Sequence, residues 1–94
     1  METLDDQQIE ARLSDVSGWV RDGRAIVRDV KLADFAAAIA LVDAVAVVAE
    51  RADHHPDILV HGWNRLRLTL STHSAGGLTA ADFALAAQLD ALLP

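Results

Sequence analysis

The chain has 94 residues, 52% of them apolar, no cysteine, and 14 acidic side chains against 8 basic ones for a formal charge of −6. That length holds one small core, so residues 1–94 are expected to form a single domain, and the lack of cysteine excludes disulfides and thiolate metal sites. The acidic balance, with no basic run beyond Arg65 and Arg67, argues against a nucleic-acid partner held by its phosphates, and the longest apolar run, residues 35–42, falls far short of the roughly 20 residues that a membrane span needs. The stretch Glu2-Thr3-Leu4-Asp5-Asp6 has no apolar signal core, so a cytoplasmic protein without membrane partners is expected.

In chain order, Thr3-Leu4-Asp5-Asp6 has the form of a capping box with Thr3 as N-cap, which predicts a helix over residues 4–13 with Ile9 and Leu13 turned inward. Residues 14–18 break it. Trp19 and Val20 begin a short strand, Asp22-Gly23 marks a hairpin turn, and residues 25–30 form the returning strand. Asp34 is a good N-cap for a long helix over residues 35–54, which should end there because the residue before Pro56 is driven out of helical geometry. A strand over residues 58–63 and a turn at residues 62–64 lead into a clean alternation. Leu66, Leu68 and Leu70 share one face, and Arg65, Arg67, Thr69, Ser71 and His73 share the other. After a loop at residues 74–77, Thr79-Ala80-Ala81-Asp82 is a second capping box, opening a helix that can bury Phe83, Ala86, Ala87, Leu89 and Leu93. The order helix-β-β-helix-β-β-helix predicts an α+β domain: a four-stranded, mostly antiparallel sheet with its helices on one face.

Chemistry concentrates between Glu50 and His73, a stretch that holds all four histidines, with His54 and His55 beside carboxylates. On a helix, Glu50, Asp53 and His54 fall at i, i+3 and i+4 and would share the last turn, while His55, held extended by Pro56, leaves in another direction. Imidazole is the side chain whose ordinary titration lies nearest neutrality, which suits it to moving protons. The plainer roles are a surface or capping histidine for His61, helix initiation for Asp82, and core packing for Trp19. A metal site is the rival reading of the cluster, but adjacent, diverging histidines do not form a His-x-x-x-His pair, so no metal is expected.

The spacing Glu50, three residues, His54-His55-Pro56, six residues, Trp63, nine residues, His73, eight residues, Asp82 resembles the signature of the pterin-4a-carbinolamine dehydratases. The resemblance extends through Gly18-Trp19, Asp34-Phe35, Ala49-Glu50, Asp57-Ile58, Thr72-His73 and Gly77-Leu78-Thr79, over roughly residues 13–92. Leu41 departs from it, standing where relatives usually carry an aromatic, as do Ala44 and Val47, which replace customary polar residues. The resemblance implies a hydro-lyase that converts 4a-hydroxytetrahydropterin to quinonoid dihydropterin and water in tetrahydrobiopterin recycling, with no cofactor. It implies that His54 and His73 transfer protons, that His55 contacts substrate, that Glu50 or Asp53 orients an imidazole, and that Trp19 and Trp63 bind substrate. It also implies a homo-oligomer, dimer or tetramer, assembled through the long helix, whose Ala37, Ala40, Ala44 and Val47 extend its apolar surface. Two alternatives stay open. One is a non-catalytic or moonlighting interaction module of the coactivator kind, and the other is a dehydratase-like protein of another pterin pathway, such as that of molybdopterin.

Overall fold

The alternation along residues 65–70 decides the architecture. In a computed structural model, which describes residues 2–94, Leu66, Leu68 and Leu70 are fully buried while Arg65 and Arg67 stand in solvent. These residues form the fourth strand of a sheet that the three helices cover on one side only. The elements are α1 (Asp6–Leu13), β1 (Val20–Asp22), β2 (Ala25–Lys31), α2 (Phe35–Ala52), β3 (Asp57–His61), β4 (Arg65–Leu70) and α3 (Ala80–Asp90), with a 3-10 turn over His73–Ala75. The strand order is β1-β2-β4-β3 and all three pairings are antiparallel, so β1 and β3 are the edges. The expected α+β class, element order and one-sided helix layer are all present.

The core forms where the leucine face of β4 and Ile26 of β2 meet Ile9 of α1, Val45 of α2 and Phe83, Leu85, Ala86 and Leu89 of α3. Burying one such side chain contributes about 1.5–3 kcal/mol. The opposite sheet face carries Val20, Ala25, Val27, Asp29, Lys31, Asp57, Leu59, His61, Arg65, Arg67 and Thr69, placed there by the register. No helix covers it, and Val20 and Leu59 are exposed. No helix among the described residues is long and apolar enough to cross a membrane.

Trp19 precedes β1, the β1–β2 turn falls on Gly23-Arg24 because Asp22 pairs with Ala25, and His73 lies in the 3-10 turn beyond β4. Four further boundaries differ from expectation. Helix α1 starts two residues late: its N-cap is Asp5, whose side chain accepts from the Gln8 amide while Gln8 reaches back to the Asp5 amide. The Leu4 amide donates to the Leu78 carbonyl at 2.8 Å, tying the residue before the cap to the loop ahead of α3 instead of into a helix. Strand β2 runs one residue further, to Lys31, because its pairing with Arg65 continues the ladder. Strand β3 spans 57–61 because Gly62 (φ 54) and Trp63 (φ 58) both turn left-handed and close the β3–β4 hairpin.

The fourth difference matters for the site. Helix α2 ends at Ala52, and Asp53 takes the left-handed conformation (φ 49, ψ 41). The Asp53 amide donates to Glu50 and the His54 amide to Ala49, so two end carbonyls are satisfied by a Schellman arrangement. An Asp at this position has a short polar side chain that tolerates such geometry. Glu50, Asp53 and His54 therefore do not share a helical turn, and the chain swings His54 back toward α3.

Candidate active site

His54 reaches the buried layer between α2 and α3, with a side chain 17% exposed and Nε2 2.6 Å from Oδ1 of Asp82. Asp82 is fully buried, and its other oxygen accepts from the Thr72 hydroxyl at 2.8 Å and from the Thr79 amide at 2.9 Å. The Thr72 and Thr79 hydroxyls lie 2.8 Å apart, and Thr79 in turn accepts from the Ala81 amide. With Thr72 donating to Asp82, the Thr79 hydroxyl donates to Thr72, and every side-chain polar atom of Asp82, Thr72 and Thr79 has a partner. Because a carboxylate only accepts, the proton on His54 sits at Nε2 and leaves Nδ1 as the free ring nitrogen.

The capping box expected at Thr79 and Asp82 is present, with Thr79 as N-cap. It is also half of something else: the carboxylate that opens α3 is the one that holds His54. Glu50 and Asp53, expected to orient an imidazole, are both exposed, Asp53 in the left-handed conformation, and His54 takes Asp82 as its partner instead. Glu50 stays within 3.6 Å of His55 Nε2, with both side chains more than half exposed, a contact too long for a hydrogen bond.

His73 follows Thr72 directly, so one residue of backbone links the Asp82 network to the second imidazole. The Ala75 and Gly76 amides both donate to the Thr72 carbonyl and fix the 3-10 turn. His73 lines an open pocket of about 340 Å³ with Arg24, Ala25, Asp57, Thr69, Ser71 and Gly76, and the Ser71 hydroxyl closes its rim by donating to the Arg24 carbonyl at 2.6 Å. His54, His55 and His73 thus come to one end of the sheet, where β3 begins and β4 finishes.

The two tryptophans do not join them. Trp19, expected to bind substrate, is 5% exposed and its indole N–H donates to Asp90 at 2.7 Å, so it packs in the core away from the three histidines. Trp63 is 62% exposed at the tip of the β3–β4 hairpin, the opposite end of the sheet from His73. Among the described residues no three histidine, aspartate or glutamate side chains converge to hold a metal ion. What sequence reasoning missed was the partnership of Asp82 and Thr72 with His54. The available signal was the place of Asp82 in the matched spacing, which the capping-box role absorbed.

The chain belongs to the pterin 4 alpha carbinolamine dehydratase family, whose profile matches residues 2–92. A Nocardia farcinica protein, provisionally named a pterin-4-alpha-carbinolamine dehydratase, is 55% identical over 97% of this chain and 95% of its own length. A Roseiflexus castenholzii protein with the same provisional name is 51% identical over 96% of each chain. Among solved structures, a Brucella melitensis protein described as a transcriptional coactivator/pterin dehydratase superposes with a TM-score of 0.90 at 35% identity, covering 99% of this chain and 100% of that one. A pterin dehydratase-like protein described as a RuBisCO assembly factor of the alpha-carboxysome superposes with a TM-score of 0.66 at 28% identity, over 80% of this chain and 88% of that one.

Proposed function

We propose that the chain dehydrates 4a-hydroxytetrahydropterin to quinonoid dihydropterin by histidine acid–base catalysis. One imidazole removes the proton on the ring nitrogen next to the 4a carbon, that nitrogen's electron pair forms the C=N bond, and the 4a oxygen departs as water with a proton from the second imidazole. Atoms balance without a metal, a nucleophile or a redox cofactor. His54 and His73 are assigned the two transfers and His55 a substrate contact. The observation that carries the reading is the 2.6 Å contact between His54 and the buried Asp82, which fixes the ring and leaves one nitrogen free for a reacting proton. In this reading the protein serves tetrahydrobiopterin-type recycling in the cytoplasm. Stopped-flow measurement with chemically generated carbinolamine tests it: acceleration above the buffer rate is expected, and its absence in folded protein overturns the assignment.

A second reading, a protein-docking role beside or instead of catalysis, is favoured by the outer face of α2. Phe35, Ile39 and Val47 are 54%, 38% and 51% exposed there, an apolar stripe unusual on an isolated helix. The same stripe supports a homo-oligomer, dimer or tetramer. The descriptions of the Brucella and carboxysome relatives make coactivator-like or assembly roles reasonable to test by affinity capture.

A further inference from the structure

The end of the open sheet face away from His73 carries a charge arrangement that dehydration does not use. Register places Lys31 opposite Arg65 and Arg65 opposite His61, so two permanent cations and a titratable imidazole stand in one row across three strands. All three are exposed on the helix-free face and line a single cavity of about 380 Å³ together with Asp29, Val30 and Arg67. Like charges directly opposite each other on a sheet destabilise the pair. In a chain of net charge −6 such a row is not a by-product of general basicity.

The next row shows how the chain neutralises a cation when it does so internally. Arg67 faces Asp29, with Nε and Nη2 2.8 and 3.2 Å from the two carboxylate oxygens. This guanidinium holds the Asp29 carboxyl below its usual range, so the one acid lining the cavity is already committed. Among the described residues, neither Lys31 nor Arg65 makes an ion pair. The stem of Arg65 lies over Gly62, where an added Cβ would sit 3.6 Å from its Cδ, so the guanidinium leans against the hairpin.

We propose that the Lys31–Arg65–His61 row is a binding site for the phosphate group of a small phosphate ester. An arginine fork, an ammonium and an imidazole lining one cavity suit the several oxygens of a phosphate. The cavity is larger than the anion alone and lies within the range of small-molecule sites, which leaves room for an organic portion. The site is separate from the histidine pocket: six residue steps of β-strand geometry, about 20 Å, separate Arg65 from Ser71. It therefore stands whether or not the chain is a dehydratase.

The test is a titration of the full chain with inorganic phosphate and with glycerol phosphate, against sodium chloride of matched ionic strength, followed by backbone amide shifts. Saturable shifts at Lys31, His61 and Arg65 are expected with both probes, tighter for the ester, and at least tenfold weaker in a Lys31→Gln, Arg65→Gln double variant. Arg24→Gln, at the other end of the sheet, should bind as wild type. Shifts that chloride reproduces, that the double variant keeps, or that centre on His73 would overturn the proposal. So would tighter binding of a single-stranded oligonucleotide than of the ester, which would make the row a polyanion surface. In the absence of phosphate, Lys31→Gln should melt no lower than wild type because it relieves repulsion, and a clear loss of melting temperature would mean that the row serves the fold instead.

Discussion

His54 and Asp82 are 28 residues apart in sequence and 2.6 Å apart in space, and the bond between them joins the end of α2 to the first turn of α3. One carboxylate therefore caps a helix, holds a hydroxyl and orients an imidazole. Damage to any of these contacts should be felt at the others, because a buried polar group left without its partner costs about 1–3 kcal/mol.

The first consequence concerns division of labour among the histidines. The His54→Ala, His73→Ala double variant should lose all acceleration of carbinolamine dehydration, while each single variant keeps part of it, since the remaining imidazole still makes one of the two proton transfers. His61→Ala should match wild type. Stopped-flow rates with circular dichroism as a folding control decide this, and wild-type turnover in the folded double variant would remove both histidines from the mechanism.

Asp82→Asn separates orientation from packing. The amide oxygen can still accept from Thr72 and Thr79, but its NH2 would face His54 Nε2 and force the imidazole proton to Nδ1. The expected result is a folded protein with a switched His54 tautomer, visible in imidazole nitrogen shifts, and a rate lower by on the order of 100-fold. An unchanged tautomer accompanied by full activity would reduce Asp82 to a helix cap.

Stability away from the site should depend on Asp90. Its Oδ1 accepts from the Trp19 indole at 2.7 Å and from Arg28 at 3.2 Å, and Arg28 also donates to the Ser17 and Pro94 carbonyls. Asp90→Ala leaves these donors short of an acceptor, and denaturant unfolding should show a loss of about 1–3 kcal/mol. Gly18→Ala should be destabilising for a different reason: φ is +75° and the new Cβ would sit 2.7 Å from Arg28 Nε. An Asp90→Ala protein as stable as wild type would mean that Trp19 and Arg28 are held by packing alone, and an unchanged Gly18→Ala protein would mean that Arg28 swings aside and the backbone relaxes at little cost.

Assembly through α2 can be tested on the residues that face outward. Ala40 and Val47 are exposed whereas Ala37 and Ala44 are half-buried, so Ala40→Glu with Val47→Glu is the informative pair. Light scattering should find an oligomeric wild type and a double variant of lower mass. A monomeric wild type would mean that the alanines serve helix propensity alone.

Chelation is expected to leave both rate and melting temperature unchanged, since the adjacent histidines go to different partners, His54 to Asp82 and His55 toward Glu50. Stoichiometric zinc or iron lost together with activity would overturn that expectation.

Local rules written into neighbouring residues determined most of the fold. The period-2 leucines of β4, the glycine turn at Gly23, the Asp34 cap and the Thr79/Asp82 capping box each act over a few residues, so each could be read from the chain alone, the turn to within one residue. The histidines were singled out for a similar reason, because a fixed spacing carries them. Tertiary structure decided the rest. The left-handed turn at Asp53 is a choice between continuing a helix and satisfying its end carbonyls, and it took His54 away from Glu50 and gave it to Asp82. Burial of Trp19 against Asp90 joins residues 71 apart in sequence, and the Lys31–Arg65–His61 row exists only because three strands align in one register. Each depends on which distant segments pack together, a property of the whole chain's burial that no short stretch of it encodes.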